Sequence, residues 1–158
     1  MNIFYLDEDP KLAAIYQYNK HVVKMILESA QMLCTAHHVI MGDDADVPYK
    51  TTHKNHPSTI WARQSGQNYA WLYHHMIALG EEYYVRYGKK HLSITKCEDK
   101  LAKLPGGILE TGFTQPPQCM PDEYKDKCSI QAYWNYYIGE KYKVANPKTE
   151  KIYDKRIN

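Results

Sequence analysis

The sequence predicts an all-α fold: a single compact helical domain, residues 1–158, built around one long central helix. Two long segments carry this prediction. Residues 11–40 contain neither Gly nor Pro, and residues 58–87 space their large apolar side chains for one buried helical face. A chain of 158 residues is long enough for one domain with a substantial core.

The central helix is predicted over residues 10–40. Asp9 is a suitable N-cap, Pro10 suits the first helical position, and Gly42 follows the end. Successive residues advance about 100° around a helix, which gathers the polar residues into one stripe on an otherwise apolar surface. The stripe consists of Gln17, Lys20, His21, Lys24, Glu28, Gln31, Thr35 and His38. It is either a site that needs partners for buried charges or the solvated face of a core helix.

Before this helix, the apolar run Ile3–Leu6 predicts a small edge strand or an extended arm that packs on the core. Because Asn2 is a large residue, we expect the initiator methionine to be retained. The free α-amine then belongs to Met1.

The segment 49–75 is rich in hydrogen-bond donors. Thr52, His53, Lys54, Asn55 and His56 precede Pro57, and Ser58 is a good N-cap, so these donors lie before a helix N-terminus, where phosphate binds readily. The helix is predicted to continue to Tyr87 and to stop at Gly88, with Gly66 marking a kink or a close backbone approach.

Polar and aromatic side chains alternate along this second helix. Arg63 and Asn68 lie among Trp61, Tyr69 and Trp71. Hydrogen-bonding groups interleaved with large rings suit a nucleotide or nucleic acid, with the three rings stacking on bases. The alternative is a capped amphipathic helix whose tryptophans belong to the core.

The second half of the chain predicts a third helix over 91–104, capped at Ser93, and a last helix over 129–142, capped at Ser129. Between them, the proline-containing segment 105–128 predicts a long loop of the kind that is usually functional or closely packed. The polar, basic residues 143–158 predict a flexible tail.

Composition narrows the function classes. A net charge of +2 requires any basic site to be local. The four cysteines are far apart, which predicts reduced thiols in an intracellular, cytoplasmic protein, and no apolar run reaches transmembrane length. Nucleotide-binding and hydrolase motifs are absent, and so are the short His and Cys spacings of metal sites. We therefore predict no cofactor and no metal, with a metal held by scattered histidines as an alternative.

Two short motifs resemble a known family. Lys20, His21, Lys24, Glu28 and Gln31 on one helix, followed by Asn55-His56-Pro57, are similar to small phage proteins and, more distantly, to pyrimidine-dimer DNA glycosylases of the phage endonuclease V type. The resemblance implies that Glu28 is catalytic, that His21 contacts DNA, and that the protein acts in the host cytoplasm. That family uses the α-amine of a small residue exposed by loss of methionine, whereas this chain is expected to keep Met1.

The predicted function is therefore cleavage of an N-glycosidic bond by a DNA glycosylase or lyase. The reaction needs a nucleophile at C1′ and a carboxylate, here Glu28. A free α-amine has a reference pKa of about 8, against about 10.4 for a lysine side chain. This makes Met1 the better intrinsic nucleophile and Lys24 the better-placed one. Lys20 and Gln31 are assigned to ligand binding. A non-catalytic module that captures a nucleotide or nucleic acid is the alternative from another class.

Overall fold

A computed structural model describes residues 1–146 and 148–150, and within these ranges the regular structure is entirely helical. The all-α prediction is confirmed. The six α-helices are α1 (Pro10–Ile15), α2 (Asn19–Met41), α3 (Pro57–Gln64), α4 (Gly66–Tyr87), α5 (Leu92–Leu101) and α6 (Ser129–Gly139). Short 3₁₀ turns occupy Asp122–Tyr124 and Lys141–Val144. Most of the tail predicted for 143–158 lies outside the described residues.

Helix α2 is the central element, and α3, α4 and α5 all pack against it, while α1 packs against α4. Its buried surface includes Val22, Ile26 and Leu33. Val23, Leu27 and Val39, which belong to the apolar surface around the polar stripe, are exposed, and so are Lys20 and Lys24. The solvent-facing side of α2 therefore mixes aliphatic and charged side chains, and part of the polar stripe faces inward.

The prediction of one uninterrupted helix over 10–40 is wrong, because the chain breaks between Ile15 and Asn19. The guanidinium of Arg86 donates to the carbonyl oxygens of Ile15 (3.0 Å) and Gln17 (2.8 Å), and the Asn19 amide donates to the Glu150 carboxylate (2.7 Å). These groups would otherwise bond within a continuous helix. Their partners come from α4 and from the C-terminal segment, so the break has a long-range cause.

The second predicted helix is also divided, at Ser65. This residue is extended (φ −152°, ψ 156°), and its hydroxyl accepts the Asn68 amide, which caps α4. The Gly66 amide leaves the helical pattern and donates to the Leu109 carbonyl at 2.7 Å. Gly66 thus marks the start of α4 and a contact with the loop after α5.

Three predicted N-caps are displaced in the structure. Ser58, Ser93 and Ser129 lie inside the first turn of their helices, and the N-cap positions belong to His56, His91 and Cys128. At the other end, Gly88 closes α4 in the left-handed conformation (φ 73°), as predicted.

The N-terminal segment is an extended arm and not a strand. Ile3, Phe4, Tyr5 and Leu6 are all buried. The arm is fixed at both ends, since the Asn2 side-chain amide donates to the Cys119 carbonyl (2.9 Å) and the Trp134 indole donates to the Leu6 carbonyl (2.8 Å). The Met1 side chain is therefore held against the core, while Met1 as a whole stays partly exposed.

Candidate active site at the N-terminal arm

The arm brings the α-amine of Met1 to the carboxylate of Glu28. The amine nitrogen lies 3.8 Å from Oε1, and the Met1 side chain is only 2% exposed. This separation is an ion-pair distance, longer than a hydrogen bond. The amine and carboxylate are thus neighbours across the seam between the arm and α2.

Glu28 is poorly satisfied for a half-buried carboxylate. Its side chain is 15% exposed, and its Oε2 is inaccessible to solvent and accepts no hydrogen bond. The nearest cation to Oε2 is Lys24 Nζ at 3.8 Å, and the Lys24 side chain is 68% exposed. A buried acceptor without a donor costs free energy, so Oε2 is an unsatisfied acceptor within this site.

The opposite wall of this site is the beginning of α3. The Thr59 hydroxyl donates to Met1 Sδ at 3.5 Å. Ser58 Oγ lies 3.5 Å from the sulfur of Cys119, whose carbonyl holds Asn2. Side chains of α3 and of the loop before α6 therefore set the position of the N-terminus.

Phe4 has a strained backbone at the centre of the arm. Its φ is 51°, in a region that bulky residues rarely adopt and that costs about 1–3 kcal/mol. The ring stacks on His21 with centroids 4.1 Å apart and planes at 12°. This contact and the burial of the ring offset the strain.

His21 is therefore an interior residue, which corrects its predicted contact with DNA. Its Nδ1 lies 2.5 Å from the Tyr137 hydroxyl, and the side chain is buried between the arm and α6. Burial, with smaller contributions from the charges of Lys141 and Lys24, lowers its pKa from 6.5 to about 3. His21 positions the arm as a neutral ring.

This burial predicts a loss of stability in acid. Between the native pKa of about 3 and the unfolded value of 6.5, the unfolded chain binds a proton that the native chain does not. The contribution is fully present above pH 6.5 and is lost at about 1.4 kcal/mol per pH unit as the pH falls through that window. The double variant His21→Phe/Tyr137→Phe keeps the stacked ring and removes both polar partners, so its free energy of unfolding should fall less steeply with acid.

Urea unfolding of the wild type and the double variant, from about pH 7 to about pH 4.5, measures this difference. His74→Gln is the control, because His74 is exposed on α4. Equal slopes in the wild type and the double variant would contradict the assignment.

Side chains of α2 and α3 hold the backbone of the donor-rich segment 52–56. The Thr52 amide and carbonyl both bond to Thr35 Oγ1 (3.1 and 3.2 Å), and Arg63 donates to the Lys54 carbonyl (2.8 Å). His53 has a φ of 46° and, like Lys54 and Asn55, is exposed. Arg63 thus supports the loop, while three neighbouring side chains face solvent.

The predicted base-stacking rings are core residues, which corrects that assignment. Trp61, Tyr69 and Trp71 are buried. Their polar atoms donate to the carbonyls of Thr114 (2.9 Å), Leu101 (2.8 Å) and Glu8 (2.8 Å) respectively.

Asn68 is likewise interior. Its side-chain amide donates to the carbonyl of Trp61 and to the hydroxyl of Thr114. These groups organise the loop before α6 and present no surface to a ligand.

Lys20 and Gln31 flank the site along α2. Gln31 is half-buried one turn beyond Glu28. Lys20 is eight residues before Glu28, about 12 Å along the axis, and it lines a separate cavity of about 810 Å³ with Glu82, Arg86 and Glu150. The structure therefore brings together Met1, Lys24 and Glu28, and leaves Lys20 outside this group.

Sequence reasoning missed Thr59 and Cys119, which position the N-terminus. Hydroxyls and thiols are too common in sequences to signal such contacts. The four cysteines are free, as predicted. In the part of the chain that the structure describes, no helix has the length and apolar character needed to cross a bilayer, and no group of three or more His, Cys, Asp or Glu side chains is placed to hold a metal ion.

Comparisons of the chain with protein-family models, with curated proteins and with solved structures find no match.

Proposed function

We propose that this protein is a DNA N-glycosylase with lyase activity, in which the α-amine of Met1 is the nucleophile and Glu28 is the catalytic carboxylate. One observation carries the proposal: the Met1 amine lies 3.8 Å from Glu28 Oε1 at the end of a buried, fixed arm. A primary amine beside a carboxylate is the pair needed to replace the base at C1′ and to move the protons released.

The reaction begins when the nitrogen lone pair of Met1 forms a bond to C1′. The bond from C1′ to the base breaks, and its electron pair leaves with the base. Glu28 accepts a proton from the newly bonded nitrogen, and this proton returns to the departing base. Opening of the sugar ring breaks the C1′–O4′ bond, moves the remaining N–H proton to O4′ and gives an imine between Met1 and C1′. Glu28 then takes a proton from C2′, and the 3′ phosphate leaves with the electron pair of the C3′–O3′ bond.

Exposed cations support DNA as the substrate class. Lys24 lies beside Glu28, and Lys54 projects from the loop held by Arg63. Such side chains neutralise phosphates without reading sequence.

The proposal is tested by trapping the imine. The protein is incubated with a duplex oligonucleotide that carries one abasic site, and borohydride is added. We expect a covalent adduct that peptide mapping places on the Met1 nitrogen, and that Lys24→Gln still forms.

An adduct on the Lys24 side chain would reassign the nucleophile. Binding of the same duplex without any adduct would overturn the enzymatic proposal and favour a non-catalytic capture module. An adduct that also forms after Met1 has been chemically acetylated would exclude the α-amine.

A further inference from the structure

Two helices of this protein begin with the same uncommon cap. In the segments His56-Pro57-Ser58 and His91-Leu92-Ser93, the histidine Nδ1 accepts the serine amide at 3.1 Å. The backbone angles agree closely, with φ −66° and ψ 138° at His56, and φ −68° and ψ 138° at His91. A neutral imidazole whose Nδ1 accepts a hydrogen bond carries its proton on Nε2.

The two histidines differ in their surroundings. The His91 ring packs edge-on against Tyr83, with centroids 4.9 Å apart and planes at 78°. Within residues 1–146 and 148–150, the His56 side chain makes one hydrogen bond, the capping bond to Ser58. Capping therefore uses Nδ1 of His56 and leaves its Nε2–H available.

His56 is the N-cap of α3, the helix whose first turn contacts the N-terminal arm. Ser58 and Thr59, two and three residues further on, are the α3 residues whose side chains hold Cys119 and Met1. Burial first, and then the positive charge of the amine, lower the pKa of His56 below its usual value. At neutral pH the ring is thus an uncharged donor near the nucleophile, and not a cation suited to phosphate.

We infer that His56 is a further catalytic residue, which stabilises the departing base by donating its Nε2–H to the negative charge that develops there. This inference rests on the proposed function. No proton leaves the ring: the electron pair of the broken C1′–N bond passes to the base, His56 holds the resulting anion by a hydrogen bond, and Glu28 supplies the proton that neutralises it. A neutral histidine in this role acts as an electrophilic donor.

Two substitutions separate catalysis from capping. Asparagine is among the best N-cap residues, so His56→Asn and His91→Asn each exchange a histidine cap for a good one. Both variants should keep melting temperatures close to that of the wild type. His56→Asn also removes the free Nε2–H, whereas His91→Asn leaves the site untouched.

Two probes then distinguish the steps of the reaction. The first is a duplex that contains ultraviolet-induced pyrimidine dimers, in which a glycosidic bond must break. The second is the duplex with an abasic site, from which no base departs. We expect His56→Asn to slow glycosidic cleavage of the first by about 10²–10³-fold, with KM little changed, while borohydride trapping on the second proceeds at the wild-type rate. His91→Asn should match the wild type on both.

The outcomes separate the inference from the function on which it rests. If the wild type forms the abasic-site adduct and cleaves the dimer DNA, but His56→Asn does both as fast as His91→Asn, the role of His56 is overturned and the amine chemistry stands. Equal slowing on both probes would also overturn it, because a donor to the base has no task at an abasic site. If the wild type forms the abasic-site adduct but does not cleave the dimer DNA, the role of His56 at the departing base is overturned and the amine chemistry stands. Absence of both activities in the wild type removes the proposed function and this inference with it.

Discussion

Replacing Glu28 with glutamine is expected to slow glycosidic cleavage by about 10²–10⁴-fold, because the variant keeps the shape of the side chain and loses its capacity to accept a proton. Stability should change little. The partner Lys24 is 68% exposed, and solvent-exposed ion pairs contribute about 0–1 kcal/mol. A melting curve and a single-turnover assay on the same preparation measure both quantities.

Glu82→Gln is the matched control for this experiment. Glu82 is also on a helix, is 17% exposed, and pairs with a cation four residues away, Arg86, at 3.1 Å. Its pairing is structural, because Arg86 holds the carbonyls at the break between α1 and α2. Glu82→Gln should therefore lower stability by about 1–3 kcal/mol and leave the catalytic rate of the folded protein unchanged. A Glu28→Gln variant that melts as Glu82→Gln does, with activity lost only in proportion to unfolding, would return Glu28 to a structural role.

Extension of the chain before Met1 should abolish covalent trapping. A Gly-Ser remnant left by removal of a fusion partner converts the Met1 amine into a peptide amide, which has no nucleophilic lone pair. It also forces extra residues into a site where the Met1 side chain is only 2% exposed and contacts Thr59. The new amine is displaced by two residues, about 7 Å of extended chain, and cannot reach the same position beside Glu28.

The comparison uses the same fusion cleaved so that no residue precedes Met1, with intact mass confirming each N-terminus. Adduct yield is measured by borohydride trapping on the abasic duplex, and folding by thermal melting. An extended chain that is folded and still forms the adduct at the wild-type rate would exclude the α-amine as the nucleophile and direct attention to Lys24.

Local signals in the sequence determined several features correctly. Asp9 and Pro10 begin α1, Gly88 ends α4, and the proline-containing segment 105–128 holds no α-helix. Each depends on the conformational preferences of one or two residues. The spacing of Lys24 and Glu28 similarly placed two members of the site on adjacent turns of α2.

Features with distant causes could not be predicted in this way. The break before α2 depends on Arg86, and residues 15–19 contain no Gly or Pro that would indicate it. The caps at His56 and His91 were assigned to the following serines, because histidine is not a usual N-cap residue. The burial of Trp61 and Trp71 depends on carbonyls of the segment before α6 and of the N-terminal segment.

The candidate site likewise combines one residue placed by a local pattern with one placed by distant contacts. The helix periodicity places Glu28, but the approach of Met1 depends on an arm without repeating structure. That arm is fixed by contacts with Cys119 and Trp134, more than a hundred residues away. A pattern confined to neighbouring residues contains no information about such contacts.

The anchoring of the arm also has a consequence for biosynthesis. Leu6 and its partner Trp134 are separated by 128 residues. At about 5–20 residues per second, the ribosome makes the second roughly 6–26 s after the first. During this interval the apolar segment Ile3–Leu6 has no α6 to cover it, so its side chains are exposed on the nascent chain. The anchor that holds the arm against the core at Leu6 forms after Trp134 has been translated, and fragments that end before α6 are therefore expected to be inactive.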